Sequence, residues 1–423
     1  MTDAHVARTT RLPSRFWLFW SCLTGGGVAD GMTLIALTWS ASTVTDSPLQ
    51  ISLVAMAERL PWLLFALPLG AVVDRLPRIA LMAASGGLRA AAMLVLGLML
   101  LTTDVTMGTL LVFAVFFGTT EVAYGIAADT AVPLLAPEGA LSRANGHIRT
   151  SQILSNDFVG RPLGGLLLKA GLAVPFLGNA LVNGVSAAAL LMLRRRVDDP
   201  GVHSADRGRF TAEIGAGLKL IRAEPILRVL VLSAVVLNSL YAAMLAGQVL
   251  FVRDTLGLGS LGYALLLSAA AVGGVAGSQF ARRLLERLGT ERSLLTALLT
   301  MALCFLGVGL VPTVPVVVVL YAVASAAVAF WSVSTLTLRQ VSVPDGTLGR
   351  VNATFRMVTF GMSVVGMLLG GLLVEAVSGP LGPETALRVP YWVAGAAYLL
   401  LLAFLRPRLR HGRADVREEG DLR

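Results

Sequence analysis

The chain resolves into long apolar runs separated by short polar breaks. Runs of spanning length fall near 16–41, 50–73, 79–101, 107–128, 147–168, 172–193, 228–250, 260–281, 293–311, 314–337, 351–375 and 389–405. About 20 apolar residues carry an α-helix across the hydrocarbon core of a bilayer, so each run predicts one transmembrane helix. The first run follows Arg8, Arg11 and Arg15. It is longer than the roughly 7–15 residues of a signal-peptide core, so it is read as a retained helix.

Composition sharpens this picture. The 423 residues are 56% hydrophobic and 14% charged, against about 45–50% and about 25% in soluble domains. A soluble fold this apolar would expose large sticky patches, which excludes a cytoplasmic enzyme, a secreted disulfide scaffold and a disordered chain. The net charge of +9 sits in short segments between the runs. It forms no basic stripe interleaved with aromatics, so the partner is a lipid bilayer rather than nucleic acid. Cys22 and Cys304 lie inside apolar runs, and His5, His147, His203 and His411 are scattered. Neither set has ligand spacing, so no metal and no cofactor is expected.

The breaks alternate in basicity. One side receives Arg8, Arg11, Arg15, Arg75, Arg78, Arg143, Arg194, Arg195, Arg196, Arg282, Arg283, Arg287, Arg292, Arg339, Arg350, Arg406, Arg408 and Arg410; the other has only Lys169, Arg253 and Arg388. The positive-inside bias puts both termini in the cytoplasm, with the protein in the inner (cytoplasmic) membrane, and so requires an even number of spans. Twelve fits. Residues 1–193 are expected to form a six-helix bundle and 228–405 a second, with a linker at 194–227 and a cytoplasmic tail at 406–423. Within the linker, Ile214, Leu218 and Ile221 share a face of an amphipathic helix over 211–222; a plain linker is the alternative.

An internal repeat supports two bundles. Pro137-Glu138-Gly139-Ala140-Leu141-Ser142-Arg143-Ala144-Asn145, followed by Arg149, recurs 207 residues later as Pro344-Asp345-Gly346-Thr347-Leu348-Gly349-Arg350-Val351-Asn352, followed by Arg356. Downstream, Val159-Gly160-Arg161-Pro162-Leu163-Gly164-Gly165 echoes Val365-Gly366-Met367-Leu368-Leu369-Gly370-Gly371, and upstream Ala66 and Gly70 match Gly273 and Gly277. Repeats of the same orientation imply bundles related by a pseudo-twofold axis along the membrane normal.

The loop after the second run reads Gly70-Ala71-Val72-Val73-Asp74-Arg75-Leu76-Pro77-Arg78. It resembles the signature loop of the major facilitator superfamily. Gly27 and Asp30, the Ala144-Asn145-Gly146 entry to the fifth span and the stretch Gly160, Pro162, Gly164 and Gly165 are most similar to the drug- and siderophore-exporter branch. The resemblance implies an all-α membrane protein of twelve helices in two bundles, a monomer, with protons and a small molecule as its transported partners. It also implies that Asp74, with Arg75 and Arg78, latches one access state, the alternative being a loop that only sets topology. Gly160 and Gly164 keep small-xxx-small spacing for close packing. Proline stands one place from the branch's pattern and Arg161 intrudes.

Charge at membrane depth is the most informative signal, because an ionisable group there costs several kcal/mol unless paired or wetted. Asp30, Arg59, Arg89, Glu121, Asp157 and Arg161 fall at that depth, all in the first half, whereas the second half has only Arg356 near its membrane entry. Asp30 is the leading candidate proton carrier, the alternative being a carboxylate permanently paired with an arginine such as Arg89. Glu121, beside Thr119, Thr120 and Tyr124, is a candidate for proton or cation contact. Asp157 and Arg161 have the i,i+4 spacing of a self-satisfied pair, with Asp157 also a possible coupling group. In the second half Asn238, Tyr241, Gln248 and Trp331 are uncharged groups suited to an amphipathic substrate, or else to helix–helix hydrogen bonds.

No Gly-x-x-x-x-Gly-Lys-Ser/Thr motif occurs, and no nucleophile, base or metal ligands converge. The expected function is proton-coupled efflux of hydrophobic or amphipathic molecules such as drugs or antibiotics by alternating access. Export of a self-made siderophore or other secondary metabolite is the alternative, and a membrane enzyme or sensor comes last.

Overall fold

A computed structural model describes residues 11–73, 76–195, 197, 218–343 and 348–421. The described residues are helical with no strand, as expected where no water is present to satisfy a lone N–H or C=O. The first four helices are α1 (Ser14–Val44), α2 (Pro48–Val73), α3 (Arg78–Thr102) and α4 (Met107–Leu135). A continuous segment follows: α5 (Leu141–Ile153), a π-helical stretch (Leu154–Gly160) and α6 (Arg161–Leu167), and then α7 (Val174–Arg194). The second half holds α8 (Pro225–Ala246), α9 (Ser260–Leu310), α10 (Val314–Ser342), α11 (Leu348–Leu381) and α12 (Val389–Asp421).

Local sequence places the ends. Pro225 opens α8, and proline stands in the first turn of α7 and α10, where its missing N–H needs no partner. The Thr106 hydroxyl accepts from the Thr109 N–H to cap α4. Gly289 breaks α9 with φ 74°, a left-handed conformation that glycine adopts freely. It falls between the runs expected at 260–281 and 293–311.

Eight described helices are long and apolar enough to cross a membrane. With α9 divided at Gly289, and with α1, α2 and the continuous 141–167 segment added, the described residues contain twelve long helical segments. The protein is a multi-pass, all-α membrane protein. The last helix runs past 405 to Asp421. Of the expected linker helix, 211–217 lie outside the described residues, while 218–223 are helical and bury Ile221 against Leu227, Val343 and Val351.

The helices group into two compact units: Met1–Ser40 with Ala57–Ala205, and Ala41–Met56 with Asp206–Arg423. Residues 41–56, the end of α1 and the start of α2, therefore pack with the second half of the chain.

In unit 1, α3 lies along α7, and α1 lies so close to the 141–167 segment that a Cβ on Gly31 would sit 2.4 Å from the Asn156 carbonyl oxygen. A Cβ on Gly164 would sit 2.7 Å from the Met32 Cα. In unit 2, α8 packs on α11 in the same way: a Cβ on Gly366 would be 2.2 Å from the Ser239 carbonyl oxygen, and one on Gly370 2.3 Å from that of Ala243. The glycines matched by the sequence repeat thus make matching contacts.

The repeat is out of step by one residue, and the fold accounts for it. Arg149 stands 207 residues before Arg356, but Val159 stands 206 before Val365. Unit 1 has one residue more in that interval. There lies the π stretch Leu154–Gly160, with Arg161 N–H bonded back to the Asn156 carbonyl, whereas α11 is plain α-helix throughout. A π turn is an α-helix with one residue inserted. It also sits just ahead of Pro162, which has no N–H to offer the turn before it.

Candidate functional site

The charged residues of unit 1 converge from α1, α2, α3, α4 and the 141–167 segment. Arg89 of α3 donates from Nη1 to Asp30 Oδ1 of α1 at 2.5 Å, and from Nε to the Thr120 hydroxyl at 3.3 Å. Its guanidinium also stands 5.0 Å from the Phe117 ring centroid and 5.6 Å from that of Tyr124, so the cation is held by ring faces as well as by its carboxylate. Arg89 is 1% exposed and Asp30 22%. The cation is sealed in while its partner keeps an opening. Arg89 Nη2 and the Tyr124 hydroxyl are buried with no hydrogen-bond partner among the described residues.

A hydrogen-bonded crosspiece positions Asp30. Asn179 of α7 donates to the Ala29 carbonyl at 2.9 Å and to the Thr33 hydroxyl at 2.7 Å. Asn183 in turn donates to Asn179 Oδ1 at 2.9 Å. These bonds fix the turn of α1 that carries Asp30. The sequence reading missed both asparagines, whose signal was two amides four residues apart in an apolar run.

Around the pair lie two further carboxylates. Glu121 accepts a hydrogen bond from Trp62 and interacts with the charges of Asp30, Arg89 and Arg59. Glu58 interacts most strongly with Glu121, and then with Arg59, Asp30 and Arg161. The Arg59 side chain is exposed and Glu58 is half-buried, and Arg59 acts on the charges of both Glu58 and Glu121.

Asp157 and Arg161 form an i,i+4 ion pair of 2.8 Å on their own segment, with Arg161 Nε lacking a partner among the described residues. Gly160, Gly164 and Gly165 are buried and Pro162 is half-buried beside them. Asp74 and Arg75 lie outside the described residues. Gly70 falls within α2, and Arg78 is the first residue of α3.

Unit 2 is built differently. Asn238 is exposed and its amide donates to the Ala234 carbonyl in its own helix. Helix α8 ends at Ala246, and Gln248 stands beyond Gly247 in a separate turn, so Tyr241 and Gln248 belong to different helical segments. Gln248 is 1% exposed, and its side chain bonds Tyr321. The Tyr321 and Tyr391 hydroxyls lie 2.6 Å apart. Trp331 is buried and Tyr241 half-buried. The expectation that Arg356 is the only arginine to note in this half needs correction. Arg356 is exposed, whereas Arg339 is 8% exposed, donates to Asn352 Oδ1 at 2.8 Å and lies 3.9 Å over the Phe355 ring. Among the described residues no His, Cys, Asp and Glu cluster could hold a metal ion.

The sequence pattern of the Major Facilitator Superfamily matches residues 19–364 and 244–423. The chain is 26% identical over 419 residues to the multidrug efflux pump Tap of Mycolicibacterium fortuitum, covering 96% of this chain and 98% of that protein. It is 27% identical over 429 residues to the multidrug efflux pump Tap of Mycobacterium tuberculosis (strain ATCC 25618 / H37Rv), covering 99% and 98%. Solved structures of similar fold include an auto-inhibited POT family peptide transporter, with TM-score 0.72 at 14% identity over 94% of this chain and 97% of that one. The nucleoside transporter NupG has TM-score 0.71 at 13% identity, over 93% and 98%.

Proposed function

The chain belongs to the major facilitator superfamily, and from that membership we propose that it is a proton-coupled efflux transporter of hydrophobic or amphipathic small molecules, drugs and antibiotics among them. It works by alternating access as a monomer in the inner membrane, with both termini in the cytoplasm. The cargo class is supported by near-full-length similarity to proteins named multidrug efflux pumps.

The observation that carries the coupling is the Asp30–Arg89 pair. A sealed cation facing a carboxylate with an opening is an arrangement that one proton can switch. Protonation of Asp30 removes its negative charge and weakens its hold on Arg89, which keeps only the Thr120 hydroxyl and the two ring faces. The freed guanidinium then turns its attraction toward Glu121, the next acidic group in its field. Proton loss re-forms the pair. Asp157, tied to Arg161, is a secondary coupling group. The loop Gly70, Asp74, Arg75 and Arg78 latches one access state. The uncharged groups Asn238, Tyr241, Gln248 and Trp331 of unit 2 serve the cargo pathway, where aromatic faces and amides suit a molecule with no fixed pattern of charge.

The test is uptake of a drug panel into inside-out vesicles with and without an uncoupler. Wild-type uptake requires the proton gradient, and Asp30→Asn falls to the uncoupled background. If Asp30→Asn keeps gradient-driven uptake, the coupling role is wrong.

A further inference from the structure

The Asp30–Arg89 pair leaves one arm of the guanidinium unused. Nη1 donates to Asp30 and Nε to Thr120, but Nη2 is buried with no hydrogen-bond partner among the described residues. A buried polar atom left unbonded carries its full desolvation cost, and a charged group carries the most. The Tyr124 hydroxyl is in the same position, buried and without a hydrogen-bond partner among the described residues.

The two atoms open on one slot between α1, α3 and α4. Tyr124 stands one turn beyond Thr120 on α4, so the hydroxyl that receives Nε and the ring 5.6 Å from the guanidinium carbon share a helix face. Across the slot, the Tyr124 hydroxyl lies against Gly26, one turn from Asp30 on α1. The edge of its ring lies against Gly86, three residues before Arg89 on α3. These glycines keep the slot open. A Cβ on Gly26 would meet nothing nearer than the Tyr124 hydroxyl, at 3.9 Å, and one on Gly86 nothing nearer than the Ala187 Cβ, at 3.8 Å. At Gly31 and Gly164 the same Cβ runs into backbone at 2.4 Å and 2.7 Å. Close helix contact therefore explains those two glycines and does not explain Gly26 and Gly86. What Gly26 and Gly86 leave is methyl-sized room beside two buried polar atoms. Room of that size with polar walls is what a buried water occupies.

We propose that one buried water bridges Arg89 Nη2 and the Tyr124 hydroxyl, and that through it Tyr124 acts as a positioning residue that holds the guanidinium on Asp30. The water accepts from Nη2, and the phenol can either donate to it or accept from it. A guanidinium held at Nη2 as well as at Nε resists swinging, so Nη1 stays on the carboxylate. Without that hold Arg89 turns away more easily, and Asp30 takes a proton more readily. Other charges also act on this carboxylate. Asp30 interacts with Glu121 of α4 and Glu58 of α2; both of these feel Arg59, and Glu58 feels Arg161 of the 141–167 segment, which is paired with Asp157. Cys22 lies two turns away on α1 itself, and α7 presents the uncharged amides of Asn179 and Asn183. The inference rests on the proton-carrier reading of Asp30, yet the two fail separately. Retained gradient-driven uptake in Asp30→Asn ends the carrier role, whereas the titration below is read with no gradient and no drug.

The test is an infrared titration of the full-length protein in detergent, following the carboxylic acid band that Asp30→Asn removes. Tyr124→Phe keeps the ring beside the guanidinium and deletes only the hydroxyl. It is expected to raise the half-point by about one pH unit, tenfold in proton affinity. Gly26→Ala fills the room and is expected to move the half-point the same way. Both variants evict the same water, so the double variant should move it no further than the larger single one. Tyr398→Phe loses a buried hydrogen bond to the Leu237 carbonyl in unit 2 and should leave it in place. A half-point unmoved by Tyr124→Phe, or shifts that add in the double variant, overturns the proposal.

Discussion

The two units share a frame and differ in what they hang on it. Gly160 and Gly164 press unit 1's 141–167 segment onto α1, and Gly366 and Gly370 press α11 onto α8 by the same contacts. Inside that frame, unit 1 gathers Asp30, Arg89, Glu58 and Glu121, whereas unit 2 gathers the Tyr321 and Tyr391 hydroxyls and the Gln248 amide. Packing positions tolerate little change because backbone meets backbone there, while the side chains between them can diverge. The difference lies in the residues gathered, carboxylates around an arginine in one unit and neutral hydroxyls and an amide in the other.

The largest test of that contrast is Arg89→Leu. It strips Asp30 of its only ion-pair partner among the described residues, and removing one member of a buried pair costs about 3–5 kcal/mol. Thermal unfolding in detergent should drop accordingly. A small drop would mean that the pair is not the keystone of unit 1. The shared frame is probed next by Gly160→Val and Gly366→Val. Both should lose about 1–3 kcal/mol by overpacking, and to a similar extent; a loss confined to one would end the parallel. In unit 2, Tyr321→Phe removes two neutral hydrogen bonds, to Tyr391 and to Gln248, and should cost about 2 kcal/mol, with proton-linked transport intact. Smallest of all is Arg59→Gln. Its side chain is exposed, so stability should stay within about 0.5 kcal/mol, while Glu58→Gln shifts the pH dependence of drug uptake.

Much of the frame was legible because it is written in length and in glycine. Spanning runs, the Gly289 break and the small-residue spacing follow from bilayer thickness and from how closely two backbones can approach. Among the site residues, Asp30 and Arg89 stood out as charges in oil. Glu58, Asn179 and Arg339 did not stand out. In a soluble helix an apolar stripe marks the inward face, but around a membrane helix the lipid is as apolar as the core. The sequence near Glu58-Arg59 therefore gave no sign of which residue turns inward. Arg339 reads as a loop residue by its basicity, although it lies about one turn inside α10, which runs on to Ser342. The chain also leaves α8 at Gly247, an interruption that an unbroken apolar run conceals.

The surplus residue between Leu154 and Gly160 behaves like a wrinkle in a carpet. It can be passed along the helix by exchanging one backbone bond at a time, without tearing the rod. Each side chain it passes swings by about 100°, far more than a rigid tilt would deliver. Asp157 lies inside the wrinkle and Arg161 just beyond it. A shift that carried it past either residue would turn that residue away from the other. The plain helix of the other unit has no such slack to spend.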